Sequence, residues 1–257
     1  MISTAQLTVF LLILARISGV FIQAPVFSSR NVPFYIKTAI AVWLSLILWF
    51  VVPISPLLPT GVVSLIFALT FETAFGFLIG FVCSIIFLAI QSAGEIMDLQ
   101  MGLSVASALD PVFGSVISII GRMTFMLALI IFINANGHHL ILSAFYESFS
   151  ILPAGTVANF TSSKLAMQLI NLGASFWATA IILSAPIVLL IFLSDFAFGI
   201  VSRVAPQVNV FMLGFQVKPM LGLLGISLCL PFIASYIDKM IELIMGQVLL
   251  LSKILVG

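Results

Sequence analysis

The sequence predicts an all-α, polytopic membrane protein of about six hydrophobic helical segments, several kinked or forming hairpins, in a single helical membrane domain over residues 1–257. Three observations lead there. Of the 257 residues, 63% are hydrophobic and 7% charged, whereas a soluble domain carries about a quarter charged residues. The mean hydropathy is +1.36. The gaps between charges are long enough for helices of about 20 apolar residues, the length that crosses a hydrocarbon core. A net charge of +1 also excludes an electrostatic nucleic-acid binder, which needs a concentrated basic face.

The first segment runs Leu7–Phe27. No basic residue precedes it and Arg16 interrupts it, a pattern unlike a cleaved signal peptide. Lys37 to Glu72 holds no charge, but Pro53, Pro56, Pro59 and Gly61 divide it into a span at Ile36–Val52 and the start of another at Val62–Ile90. Within the latter, Gly76, Gly80 and Ser84 form a small-residue strip, which lets a second backbone approach closely, within the chain or between chains. Cys83 and Cys229 sit in apolar runs without metal-ligand or redox spacing, and read as small buried hydrophobes.

The stretch 91–122 is irregular. Gln91, Glu95 and Asp98 fall at i, i+4 and i+7, giving one polar, acidic helical face. Small residues, Asp110-Pro111 and Gly114 follow, and the residue before a proline is biased out of the helix. Irregular backbone at membrane depth survives only where protein buries it or water lines it. The stretch is therefore either a gate or pathway element, or an ordinary loop after an acidic helix end.

Met123–Ile133 is the fourth segment, ended by the turn signal Asn136-Gly137 before His138 and His139. Consecutive histidines cannot form an i, i+4 metal pair, so they read as loop or interface residues. Leu165–Phe198 and Met220–Leu251 are long enough to be bent or broken at Pro186 and Pro231. Asp238, Lys239 and Glu242 lie in the second of these; such charges face a partner, a protein interior or the headgroups. With six alternating segments, the odd loops hold Arg30, Lys37, Arg122, Arg203 and Lys218, the even ones only Lys164, which places the N-terminus outside. No phosphate-binding, nucleophile-elbow, zinc or dinucleotide motif is present. No catalytic residue, metal or cofactor is expected, and the chain reads as a non-enzyme.

Four strings carry a resemblance. They are A-R-I-S-G-V-F-I-Q-A-P-V-F (15–27), G-E-I-M-D-L-Q-M-G-L-S-V-A-S-A-L-D-P (94–111), N-G-H-H-L-I-L (136–142) and R-V-A-P-Q-V-N-V-F-M-L-G-F (203–215). In this order and spacing the chain resembles the FliR family of flagellar export proteins and its relatives in injectisomes. Gln216 stands where many relatives have proline.

The resemblance implies a non-enzymatic, structural and gating subunit of the type III export gate. Its implied setting is the inner membrane, in the flagellar basal body, with FliP-type and FliQ-type proteins, FlhB and membrane lipid around it. Bent helical hairpins would surround a channel for unfolded flagellar substrates. The resemblance also makes Leu109, Asp110, Pro111, Val112, Phe113 and Gly114 a plug loop in that channel. Gln91, Glu95, Asp98 and Gln100 would then lie near channel or partner, and Asp238, Lys239 and Glu242 would touch partners. The equivalent injectisome subunit is one alternative. A small-solute secondary transporter is another, but that architecture carries paired broken helices in corresponding halves, which the sequence lacks.

Overall fold

The computed structural model describes residues 4–25, 28, 32–52, 58–59, 61–104, 118–156, 160 and 162–256. Helices form wherever apolar sequence runs without a cluster of prolines, because a chain in lipid must satisfy its backbone polar groups within its own segments. Seven occur among the described residues: α1 (Thr4–Gln23), α2 (Phe34–Val51), α3 (Val62–Met101), α4 (Ile119–Asn134), α5 (Gly137–Ile151), α6 (Ser163–Val204) and α7 (Val210–Val256). Five are long and apolar enough to cross a membrane, or up to six if α4 and α5 count as one broken span. The chain is an all-α polytopic membrane protein.

Local chemistry explains most helix ends. Pro33 precedes α2, where a missing N–H costs nothing. Ser118 caps α4, its Oγ accepting from the Gly121 amide at 2.8 Å. Asn136, with φ 54°, separates α4 from α5, a left-handed conformation that Asn tolerates better than most residues.

Two expectations need correction. The third segment does not stop at Ile90: α3 continues through Gln91, Glu95 and Asp98 to Met101. Those residues form the helical turns that their i, i+4, i+7 spacing predicts, and Gln91 Nε2 donates to Glu95 Oε1 at 2.9 Å one turn away. Of the two outcomes expected at Pro186 and Pro231, bent or broken, the structure excludes the break. α6 runs on through Pro186, and α7 through Pro219 and Pro231. A proline removes one hydrogen bond, but apolar flanks leave the backbone no better alternative than continued helix. His138 and His139 likewise lie in the first turn of α5, not in a loop.

The chain forms two compact units. Unit 1 comprises Met1–Ile85, Asn136–Gly173 and Ile241–Gly257; unit 2 comprises Ile86–Ala135 and Ala174–Met240. In unit 1, Leu12, Ile13 and Ile17 of α1, Phe75 and Ile79 of α3, and Phe145 and Phe149 of α5 are buried. The last part of α7 adds a buried face of Ile241, Ile244, Val248, Leu251 and Leu255, spaced at helical intervals. In unit 2, Phe87 meets Phe132 edge-on at 5.3 Å. There α3 and α4 approach at Gly94, where a Cβ would fall 2.7 Å from the Gly121 Cα. Coverage is uneven: 61% of the most apolar stretch of α3 is buried, against 11% of that of α2. α3 is the most covered of the helices long enough to cross a membrane, and α2 the least.

Candidate functional site

A close contact between α1 and α3 in unit 1 is made by glycines on both partners. A Cβ on Gly76 would collide with the Arg16 carbonyl oxygen, and one on Gly19 with the Thr73 carbonyl oxygen. A Cβ on Gly80 would lie 2.8 Å from the Val20 oxygen and 3.1 Å from the Ala24 nitrogen. Ser84 continues the strip, its Oγ accepting from Gln23 Nε2 at 3.3 Å. The strip therefore faces α1 of the same chain.

That approach brings together two charges. Arg16, fully buried, donates from Nε to Glu72 Oε2 at 2.5 Å and from Nη2 to Glu72 Oε1 at 3.1 Å. Its Nη1 donates to Ser148 Oγ at 3.1 Å and its Nη2 also to the Leu152 carbonyl at 2.9 Å. Glu72 Oε1 further accepts from the Gly155 amide at 2.9 Å. The guanidinium carbon lies 3.9 Å from the Phe149 ring centre and 4.9 Å from that of Phe75. A buried ion pair is favourable only when its remaining donors and acceptors are also satisfied, and here the network reaches four segments: α1, α3, α5 and the turn after α5. Arg16 also lies at the carboxyl end of α5, where a cation suits the helix dipole.

Sequence reading missed this network. The signal was present: Glu72 is the only acidic residue before Glu95, so it was the nearest available partner for an arginine inside an apolar helix.

The remaining singled-out residues do not converge on one place. Gln91 and Glu95 bond each other, with Glu95 exposed. Asp98 is 2% exposed, and its Oδ1 has no hydrogen-bond partner among the described residues. Gln100 is exposed and lines a cleft of about 510 Å³ in unit 2, where Lys218 pairs with Asp195 at 2.5 Å. Asp238, Lys239 and Glu242 are all exposed, and none forms an ion pair among the described residues. Leu109, Asp110, Pro111, Val112, Phe113 and Gly114 lie outside the described residues. Among the described residues no group of three or more His, Cys, Asp or Glu could hold a metal.

What the arrangement does chemically is hold helices together. Arg16 and Glu72 are buried and spend their hydrogen bonds on each other and on groups of the same chain. Fixed, satisfied polar groups inside the chain contrast with Asp238, Lys239 and Glu242, which are exposed and without an ion pair among the described residues.

Comparison with known proteins gives a concordant result. The model of a family described as "Bacterial export proteins, family 1" matches residues 7–244. The flagellar biosynthetic protein FliR of Bacillus subtilis (strain 168) is 32% identical over 235 residues, covering 91% of this chain and 90% of that protein. FliR of Escherichia coli (strain K12) is 30% identical over 232 residues, 88% of this chain and 86% of its own. The Yop proteins translocation protein T of Yersinia pestis is 28% identical over 250 residues, 97% of this chain and 96% of its own.

Proposed function

Because the chain belongs to the bacterial export proteins of family 1, we propose that it is a structural and gating subunit of the flagellar type III protein export gate. The observation carrying this is likeness to flagellar biosynthetic proteins over about nine-tenths of both chains, in a chain with five described helices long and apolar enough to cross a membrane. The family match sets aside the small-solute transporter. The subunit is non-enzymatic and resides in the inner membrane at the flagellar basal body. With FliP-type and FliQ-type proteins, and next to FlhB, it forms the channel through which unfolded flagellar substrates pass.

Each part of the chain has a task in this reading. The Arg16–Glu72 network and the glycine contact keep α1, α3 and α5 as one rigid wall element. Asp238, Lys239 and Glu242, unpaired on α7, meet polar groups of neighbouring subunits. Gln91, Glu95, Asp98 and Gln100 bring polar groups to the end of α3, and Leu109–Gly114 serve as the plug. A channel wide enough for an unfolded chain would dissipate the membrane potential unless blocked at rest. Leu109, Val112 and Phe113 are bulky enough to dewet a constriction without strong bonds that resist opening.

The test is ion conductance, or uptake of a small dye, in cells making the whole gate. Replacing Leu109, Val112 and Phe113 with glycine should leave assembly intact and make the gate leaky. A fully assembled variant gate as tight as the original would remove the plug from this reading. The injectisome equivalent is the second reading, favoured by the 28% identity to Yop translocation protein T over 97% of this chain. Restoring motility to a strain lacking its own flagellar subunit decides for the flagellum.

A further inference from the structure

We propose that Asp98 is a proton-binding site, its carboxyl held as the neutral acid while the end of α3 is packed. Asp98 is 2% exposed and lies on the packed face of that helix. One turn earlier, Gly94 meets α4, where a Cβ would fall 2.7 Å from the Gly121 Cα. One turn later, Met101 fills the space at Gly222 of α7, where a Cβ would collide with the Met101 Cε. Residues three and four apart share a helix face, so Asp98 stands between these two contacts. Met97 and Met101, on either side of it along α3, are fully buried.

No group of unit 2 neutralises it. Asp98 Oδ1 has no hydrogen-bond partner among the described residues. Of the cations in unit 2, Lys218 on α7 pairs with Asp195 on α6. Arg122 on α4, Arg203 on α6 and Lys239 on α7 are exposed and form no ion pair among the described residues. The other acids of the unit lie elsewhere: Glu95 is exposed and accepts from Gln91, and Asp238 is exposed.

Glu72 shows what burying a carboxylate requires. At 3% exposure it has the Arg16 guanidinium and the Gly155 amide as donors. A buried carboxylate without such donors is costly, and the group neutralises instead. A proton is the cation small enough to reach this oxygen. A metal ion needs several ligands around it, and among the described residues no group of three or more His, Cys, Asp or Glu could supply them. Any movement that wets the end of α3 lets the carboxyl O–H give its proton to water, and repacking takes one back. The packed state therefore holds one more proton than an opened one.

The test is an infrared difference spectrum at neutral pH between the full chain, purified with the partners it retains, and its Asp98→Asn variant. The other acidic residues are common to both samples and cancel. A neutral carboxyl and an ionised carboxylate absorb at well-separated frequencies. The expected result is a neutral-acid band that moves on exchange into heavy water and is lost in the variant. Asn, uncharged and of similar volume, should leave the thermal midpoint of the complex close to that of the native chain. Should the variant fail to accumulate, the native chain carrying isotope-labelled aspartate replaces it, and the label should shift a neutral-acid band. Absence of such a band, or one that survives Asp98→Asn, would overturn the proposal. So would an ionised-carboxylate band lost in the variant; joined to loss of partner proteins, it would assign the oxygen to a partner's cation instead.

Discussion

Arg16 and Glu72 lie in apolar helices, and so do Asp238, Lys239 and Glu242, yet the chain treats the two sets in opposite ways. The first set is buried, and its polar atoms bond four segments. The second is exposed, without an ion pair among the described residues. Spacing cannot tell them apart, since both are charges within helical apolar sequence. What separates them is whether another part of the same chain brings a complementary group. A charge satisfied internally maintains the fold; one left open is satisfied, if at all, by its surroundings. That division makes each set separately testable.

The sharpest way to break the comparison is to leave one buried charge alone. Glu72→Ala strands a fully buried guanidinium, which costs about 3–5 kcal/mol. The variant should disappear from the membrane fraction, as read by immunoblot. Replacing both partners, Arg16→Met with Glu72→Leu, should recover much of that loss, because apolar pairs of similar volume are often neutral. Equal loss in single and double variants would mean that the pair is not what those positions supply.

Next in size is the helix approach that places the pair. Gly80→Leu adds bulk where a Cβ already lies 2.8 Å from the Val20 oxygen, and overpacking costs roughly 1–3 kcal/mol. The chain should still insert, while recovery of the complex and motility fall. Normal assembly of this variant would show that α1 can move away without consequence.

A smaller effect is expected at Ser148, whose Oγ accepts from Arg16 Nη1. Ser148→Ala leaves one guanidinium donor unsatisfied at a cost of about 1–3 kcal/mol, here near the lower bound because Arg16 keeps its other bonds. A modest fall in the thermal midpoint of detergent-solubilised protein is the readout. No change would mean that this donor finds another acceptor.

The smallest effect on the chain itself belongs to the open set. Replacing Asp238, Lys239 and Glu242 with Asn, Gln and Gln should shift its stability by no more than about 0.5 kcal/mol per site, as for other surface changes. Recovery of partner subunits should nevertheless fall. Loss of the chain together with its partners would place these residues in the fold instead.

Much of the fold could be read in the sequence because lipid-compatible helices declare themselves locally. α2 lies between Pro33 and Pro53, and the Asn136-Gly137 turn separates α4 from α5 where the backbone takes the left-handed conformation. Misreadings came where a local rule met a non-local constraint. Pro186 and Pro231 are breakers in water, but apolar surroundings keep α6 and α7 helical through them. The end set at Ile90 followed the apolar run alone, whereas the i, i+4 spacing of Gln91, Glu95 and Asp98, read as a helical face, continued the α3 register to Met101.

The Arg16–Glu72 network was the hardest feature to foresee. Its partners lie 56 residues apart, and Ser148 lies 132 residues from Arg16; helical periodicity carries no information about which helices meet. The Gly76–Gly80 strip announced a close contact but not its partner, which only tertiary packing supplies. The plug expectation rests on the resemblance, and its residues lie outside those described.

The central claim is that this chain is a subunit, stable and complete only among export-gate partners. Its most direct test is to co-express the tagged chain with FliP-type and FliQ-type proteins, solubilise the membranes mildly, and weigh what the tag recovers. One large complex containing all three proteins, with little free chain, is the expected result. A monodisperse monomer that leaves both partners in the flow-through would contradict the account.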